Sequence, residues 1–465
     1  MNKTTRDPAS FRDPAGYVFT YHHRILRAIL SPGKKDYDLF MSCGLYARLT
    51  ELGLLVNHRE VTLSSRESDT YKILEPEKIP FISYPYEWCF DQLKDAALLT
   101  LRIQEIALSY GMSLKDASSF NIQFLQGKPI LIDSLSFERY IPGKPWVAYK
   151  QFCEQFLAPL AIMQYSDPRL TKLMQEIGGE IPLSLAPQLL PWRARLHFGL
   201  LVHIYLHGWS QTQFAEQSLS TTQKETSMSR DAVSGIVASL SSTIQHLHLP
   251  TGRTLWSDYY VPASHQCSYH AKSFQHKQTL VRRYLRRIAP KSIWDIGANT
   301  GIFSQIASSM GIMTIALDND HGAIEHNYLQ VKEQRNLYLL PLWIDVTHPT
   351  PALGWHETER MSLSGRPHPE AIMALAVIHH LAIANNLPFT RIAEYFASLT
   401  SNLIIEFVPK NDPQVQFLLS RRTDIFPTYT KNDFEVAFRE YFTIREQHHI
   451  THSPRILYLM ERRKQ

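Results

Sequence analysis

The sequence predicts an α/β protein. A mostly parallel sheet fills its C-terminal half, and a largely helical α+β region precedes it. Three observations predict this. Residues 292–320, SIWDIGANTGIFSQIASSMGIMTIALDND, read as strand, glycine turn, helix and strand, with an acid at the second strand's tip. Fully apolar runs recur at 337–344, 371–378 and 403–408, as strands covered on both faces require. Upstream of residue 250, helical periodicity dominates and strand-like runs are short.

Composition bounds the rest. A chain of 465 residues is long enough for about two to four domains. At 44% hydrophobic and 20% charged it is globular. A formal net charge of +5 does not call for nucleic acid as a partner. No apolar core of signal-peptide length opens the chain, and no uninterrupted apolar run reaches about 18 residues, so a cytoplasmic protein without a membrane span is expected. Cys43, Cys89, Cys153 and Cys267 are scattered without a C-x-x-C, so neither a disulfide framework nor a metal cluster is expected. Four regions are expected: 1–145, a helical 146–250, an aromatic linker or lid over 251–280, and a C-terminal domain over 281–465.

The elements follow in chain order. Alternating apolar positions around Gly16 predict a small hairpin. Residues 37–56 predict an amphipathic helix, with Leu39, Phe40, Leu45, Leu49 and Leu52 toward a core, and 86–110 a longer one. Residues 113–138, SLKDASSFNIQFLQGKPILIDSLSFE, place Asp116 five positions before Asn121. Strand-like runs at 122–125 and 129–132 follow, and the second ends on Asp133. This segment resembles the catalytic segment of protein-kinase-like phosphotransferases. The resemblance implies that Asp116 orients an acceptor hydroxyl while Asn121 and Asp133 hold magnesium. It is incomplete: Leu114 and Lys115 stand for the histidine and arginine, Asp133-Ser134-Leu135 stands for D-F-G, and no glycine-rich loop or V-A-I-K-like lysine appears upstream. A degenerate kinase-like remnant is therefore expected rather than an active kinase.

Residues 146–212 are apolar and predict helices; His197, His203 and His207 read as core-edge histidines rather than metal ligands. Residues 217–230 are polar and Ser/Thr-rich, a surface loop, and Ser229 is placed to cap a helix through Ile244. From 250 to 277, Trp256, Tyr259, Tyr260, Tyr269 and Lys272 gather, either as a lid or as packing between domains. Arg282, Arg283, Arg286 and Arg287 then form the solvated face of a helix whose other side carries Leu280, Val281, Leu285 and Ile288.

The chemistry concentrates in the glycine turn. Gly297 and Gly301 let the backbone turn tightly and approach a ligand. Asp318 lies 23 residues beyond Asp295, near the spacing at which a carboxylate meets ribose hydroxyls in nucleotide-binding βαβ units. Asn299 stands where a dinucleotide fingerprint wants its second glycine, so the turn suits a nucleoside without phosphates better than a dinucleotide. With Asp295, Gly297 and Gly301 in a D-x-G-x-x-x-G run, it resembles motif I of the class I S-adenosylmethionine-dependent methyltransferases. That resemblance implies a Rossmann-like, mostly parallel seven-stranded sheet with an antiparallel last strand, and S-adenosyl-L-methionine as cofactor. It implies a cofactor site of Asp295, Gly297, Asn299, Gly301, Asp318 and Asn319, with Asp345 and Val346 at the adenine. His379 and His380, after the fourth strand, and Glu406 on the fifth are the candidate general bases. Each has a bland alternative: a hydrogen-bonding histidine pair, and a buried structural carboxylate. The phrases ALAVIHHLAIANNLP and IIEFVPKNDPQV look like a subgroup similar to rhizobial nodulation methyltransferase-like proteins. The expected function is methyl transfer to an acceptor left open among small metabolites, glycans and proteins, with nucleic acid disfavoured by the weak charge. The alternative is a nucleoside-binding sensor or scaffold without turnover.

Overall fold

The computed structural model describes residues 4–63, 69–206, 228–249, 271–420 and 422–463. The chain divides into two compact units: Met1–Thr251 with Ala352–Arg360, and Gly252–Pro351 with Met361–Gln465. Residues 1–145 and 146–250, expected as separate regions, fall in one unit. Trp256, Tyr259, Tyr260, Tyr269, His207, Cys267 and most of the polar run 217–230 lie outside the described residues. Among the described residues, no helix is long and apolar enough to cross a membrane.

In the first unit, β1 (Thr4–Arg6), β2 (Gly16–Tyr21), β3 (Arg24–Leu30), β4 (His58–Val61) and β5 (Thr70–Pro76) form an antiparallel sheet in the order β1-β2-β3-β5-β4. The hairpin does not turn at Gly16. It turns at His22 and His23, whose φ values of 47° and 64° are those of a two-residue type I′ turn. Gly16 is strand, and a Cβ there would collide with the Ala28 carbonyl. The helix expected over 37–56 is two helices, Lys34–Ser42 and Leu45–Glu51, parted by Gly44 at φ 85°. The long helix Phe90–Ser109 forms as expected and buries Leu93, Ala97, Leu101 and Ile103. Next come β6 (Met112–Leu114), β7 (Ile122–Leu125), β8 (Lys128–Leu131) and β9 (Phe137–Arg139). β7 and β8 pair around Gln126-Gly127, and β6 pairs with β9.

Beyond residue 146 the expected helicity is interrupted. The chain is helical from Tyr149 to Tyr165 through a π-helical turn at Cys153–Leu157, then breaks into short turns around Pro168, Pro187 and Pro191. His203 is a satisfied buried histidine, bonded to the Tyr149 hydroxyl at 2.8 Å and to Ser239 Oγ at 2.9 Å. Ser229 caps the helix Arg230–His246, its Oγ accepting from Ala232 N at 3.2 Å.

The second unit holds β10 (Ser292–Ile296), β11 (Met313–Asp318), β12 (Leu339–Trp343), β13 (Ala371–Ala374), β14 (Asn402–Phe407), β15 (Phe442–His449) and β16 (Ile456–Arg462). They form one seven-stranded sheet in the order β12-β11-β10-β13-β14-β16-β15. The first five strands are mutually parallel, and β16 is antiparallel to both its neighbours. This is the architecture the class I resemblance implies. The chain reverses its direction across the sheet between β12 and β13. Ligands bind beyond the carboxyl ends of the strands at such a switch point. Pro341 lies in the edge strand β12, where a missing N–H is tolerated.

The helix Ala271–Ile288 precedes β10 and presents the four arginines to solvent as expected. Its opposite face buries Leu280, Val281 and Leu285 against Ile293, Phe303, Met373 and Leu457. Arg283 and Arg287 both pair with Glu446 of β15. The strand expected over 371–378 stops at Ala374. Ala376 takes φ 55°, Leu381 N bonds back to Val377 O, and His380–Ala384 continues as a π-helical turn. A wholly apolar run is buried in either geometry, so its pattern does not mark where the strand ends.

Candidate functional site

β10 runs into the turn because its last residues hand their hydrogen bonds to β11. Gly297 N and Ala298 N both donate to Leu317 O, at 2.8 and 3.1 Å. The backbone then needs positive φ at Gly297 (70°), Asn299 (52°) and Gly301 (82°). Both glycines leave room for protein rather than for ligand. A Cβ at Gly297 would strike Val377 Cγ2, and one at Gly301 the Asn327 side chain. Gly297 still lines a cleft, whereas Gly301 does not; it seats the helix Ile302–Ser309 close to Asn327.

That cleft, of about 240 Å³, lies at the carboxyl ends of the parallel strands. Gly297, Asn299, Asp318, Asn319, Asp345, Val346 and His380 all line it, so seven of the expected site residues converge. Asp318 is the half-buried tip of β11. Its Oδ2 accepts from Asn299 N at 2.7 Å and its Oδ1 from Asp320 N at 2.9 Å. Each carboxylate oxygen has a second lone pair, so the group keeps acceptor capacity toward the cleft. Burial pushes its pKa up to about 6, with the backbone N–H bonds pulling the other way. Asp345 accepts Thr347 N and Oγ1 at 2.8 and 2.7 Å, both on Oδ1. Asn319 is exposed, and its carbonyl accepts from Trp343 Nε1 at 2.9 Å.

Besides Gly301, three expected residues do not reach the cleft. Asp295 is buried beneath the turn and accepts from Ser304 Oγ at 2.6 Å; it braces the helix Ile302–Ser309 instead of touching a ligand. Burial pushes its pKa up to about 7. His379 is 1% exposed, and burial followed by the charges of its neighbours holds it neutral, well below the usual imidazole range. Its Nδ1 has no hydrogen-bond partner. Glu406 is fully buried: Oε2 accepts from Lys277 Nζ at 2.6 Å, and Oε1 lies 3.6 Å from Arg455. Arg455 in turn grips Asp412 through two bonds of 2.7 and 3.0 Å. Glu406 thus belongs to a dry ion-pair network and is not positioned as a base.

His380 alone of the three candidate bases lines the cleft. Burial, and then the charge of Arg455, push its pKa down to about 4, so its imidazole is neutral at physiological pH. The cleft also takes in Leu375 and Ala376, from the run expected as strand, and Leu381, Ala384 and Asn385 beyond it. The signal that marks them is Ala376, a non-glycine residue in the left-handed region, which local pattern does not reveal.

In the first unit, Asp116 and Asp133 are engaged by protein. Asp133 pairs with Arg27 of β3 at 2.9 Å and accepts from Leu135 N at 2.7 Å. Asp116 accepts from Asn121 Nδ2 at 2.9 Å and Gln151 Nε2 at 2.8 Å. Arg27 lies far from Asp133 in sequence, so no local pattern marks the pair. Among the described residues, no cluster of three or more His, Cys, Asp or Glu is arranged to hold a metal.

Comparison with known proteins places these features in context. No family model matches the chain. The nodulation protein NoeA of Rhizobium meliloti (strain 1021) is 33% identical, over 98% of this chain and 96% of its own length. Among solved structures, WbdD aligns at 16% identity over 42% of this chain and 41% of that one, with a TM-score of 0.30. Magnesium protoporphyrin IX methyltransferase (ChlM) from Synechocystis PCC 6803, with bound SAH, aligns at 15% identity over 41% and 84%, with a TM-score of 0.31. The N-methyltransferase NodS from Bradyrhizobium japonicum WM9 aligns at 11% identity over 42% and 98%, also with a TM-score of 0.31.

Proposed function

The chain belongs to the family of the nodulation protein NoeA, and from that premise we propose that its second unit is a methyltransferase using S-adenosylmethionine. One observation carries the reading. Asp318 stands half-buried at the tip of the strand beside the glycine turn, with acceptor capacity left toward a cleft at the switch point of a parallel sheet. A carboxylate there suits a pair of ribose hydroxyls. Asp345, whose Oδ2 has no hydrogen-bond partner among the described residues, would hold the adenine amino group, with Val346 against the ring. The bound sulfonium would supply an electrophilic methyl group.

What this chain contributes to transfer is chiefly position. In-line displacement from a good leaving group needs the nucleophile held in line at near-contact distance. Gly297, Asn299 and Asp318 fix the nucleoside, while His380 faces the same space. A neutral imidazole accepts a hydrogen bond from an acceptor O–H or N–H and orients it. With a pKa near 4 it is a weak base, so the chemistry it suits is orientation more than full proton removal.

Isothermal titration with S-adenosylhomocysteine tests the site: tight binding by the full chain and its loss in Asp318→Ala are expected, and equal affinity of the two would remove the assignment. A second reading has its own support. Two of the three candidate bases lie off the cleft and the third is weakly basic, which favours a nucleoside-binding sensor without turnover. Release of labelled methyl groups to cell extract separates enzyme from sensor. For the first unit we propose a kinase-like remnant acting as a scaffold, because Arg27 already occupies the carboxylate that a magnesium ion would need.

A further inference from the structure

We infer that Trp343 is a positioning residue of the nucleoside site: its indole N–H holds the peptide group that keeps Asp318 and Asn319 directed at the cleft. This rests on the methyltransferase reading above and adds to that site a residue that does not itself line the cleft.

The placement follows from the sheet. Trp343 is the last residue of the edge strand β12, and it pairs in register with Asp318, the last residue of β11. Ile344 N donates to Asp318 O at 2.9 Å, which carries the pairing one residue past β12. The chain beyond each strand end lines the cleft: Asn319 after β11, and Ile344, Asp345 and Val346 after β12. Trp343, 5% exposed, packs behind them.

What the indole does there concerns one peptide group. The unit joining Asn319 to Asp320 is held at both ends. Its N–H, on Asp320, donates to Asp318 Oδ1 at 2.9 Å, and its carbonyl, on Asn319, accepts from Trp343 Nε1 at 2.9 Å. A peptide unit is planar, so fixing the carbonyl fixes the direction of the N–H opposite it. Trp343 therefore orients a donor that holds the Asp318 carboxylate, while Asn299 N holds the other oxygen at 2.7 Å. The far side of the bend has its own anchor. Asp320 Oδ1 accepts from Gly322 N and Ala323 N at 2.9 and 3.1 Å and caps the helix His321–Gln334. The His321 ring packs beside the indole, 5.8 Å away between centroids. Asn319 is the exposed link in this bend, and its carbonyl ties the link to β12.

The test removes the N–H with and without the shape. Trp343→Phe takes away the donor and part of the ring system. Trp343→benzothienylalanine puts a sulfur where the N–H stands and keeps the bicyclic outline. By titration calorimetry on the full-length protein, either variant should bind S-adenosylhomocysteine and adenosine about tenfold more weakly, through loss of one hydrogen bond whose acceptor stays in place. Amide exchange of residues 318–323, followed without ligand by mass spectrometry, should quicken in both variants. Wild-type affinity in the benzothienylalanine protein would make the role one of packing. Unchanged exchange in both variants would make the bend self-supporting. A loss confined to S-adenosylhomocysteine, with adenosine unaffected, would place the effect away from the sugar assigned to Asp318. Each of these results overturns the proposal and leaves the methyltransferase reading in place. If the wild-type protein binds neither ligand, that reading falls and takes this proposal with it.

Discussion

Two stretches of this chain end strands on an acid, and they treat the charge in opposite ways. At the tip of β11, Asp318 is held by two backbone N–H groups and keeps lone pairs toward a cleft. At the end of β8 in the first unit, Asp133 is matched by a guanidinium, and nearby Asp116 is taken up by two side-chain amides. Glu406 repeats the second arrangement inside the seven-stranded sheet itself, with a lysine 129 residues away in sequence. A carboxylate whose needs are met by the protein is architecture; one left partly unmet at a concave surface is a place for a ligand.

The sharpest way to break this comparison is to remove a partner from a satisfied acid. Lys277→Ala leaves the buried Glu406 with only the more distant Arg455 and is expected to cost about 3 kcal/mol in the second unit's urea unfolding transition. The double change Lys277→Met with Glu406→Leu should recover most of that; if the single change is silent, the ion pair is not structural. Asp318→Ala should behave in the opposite way. It should lower S-adenosylhomocysteine affinity about hundredfold by titration calorimetry, through lost charge-assisted bonds, and leave the unfolding midpoint nearly in place. In the first unit, Arg27→Ala is expected to cost about 1–3 kcal/mol by leaving Asp133 unmatched. Wild-type protein should show no magnesium-dependent binding of ATP in the same calorimeter, and such binding would return the kinase reading.

Titration sharpens the comparison from another side. On the proposed function the cleft wants Asp318 ionised, so S-adenosylhomocysteine affinity should fall as pH drops from 7.5 to 5, with a midpoint near the Asp318 value of about 6. For stability the sign is reversed. Asp295, raised to about 7, binds its proton more tightly folded than unfolded, so its contribution is greatest at acid pH and declines as pH rises from about 4 toward 7. Asp295→Asn should flatten that slope in thermal melts across the same range.

Much of the seven-stranded sheet was legible because its cues are local. Apolar runs mark β10, β11, β12 and β14, and glycines mark the turn that leads to Asp318. The Ser229 cap was legible for the same reason, since a cap and its N–H lie three residues apart. What stayed hidden depends on partners distant in sequence. Glu406 reads alike as a base or a strut until Lys277 and Arg455 are seen around it, and Asp133 reads as a metal ligand until Arg27 is. The end of β13 was hidden differently: Ala376 adopts a backbone conformation that alanine seldom announces. Gly301 was found correctly for its freedom and wrongly for its purpose, since its missing Cβ makes room for Asn327.

The two margins of the seven-stranded sheet carry a consequence of their own. An incoming strand would find a missing donor at Pro341 on one side and, on the other, a β15 studded with Arg445 and a twice-paired Glu446. Neither border invites a foreign backbone to zip onto it. Fibrillar stacking from these borders is therefore disfavoured while the sheet stays intact.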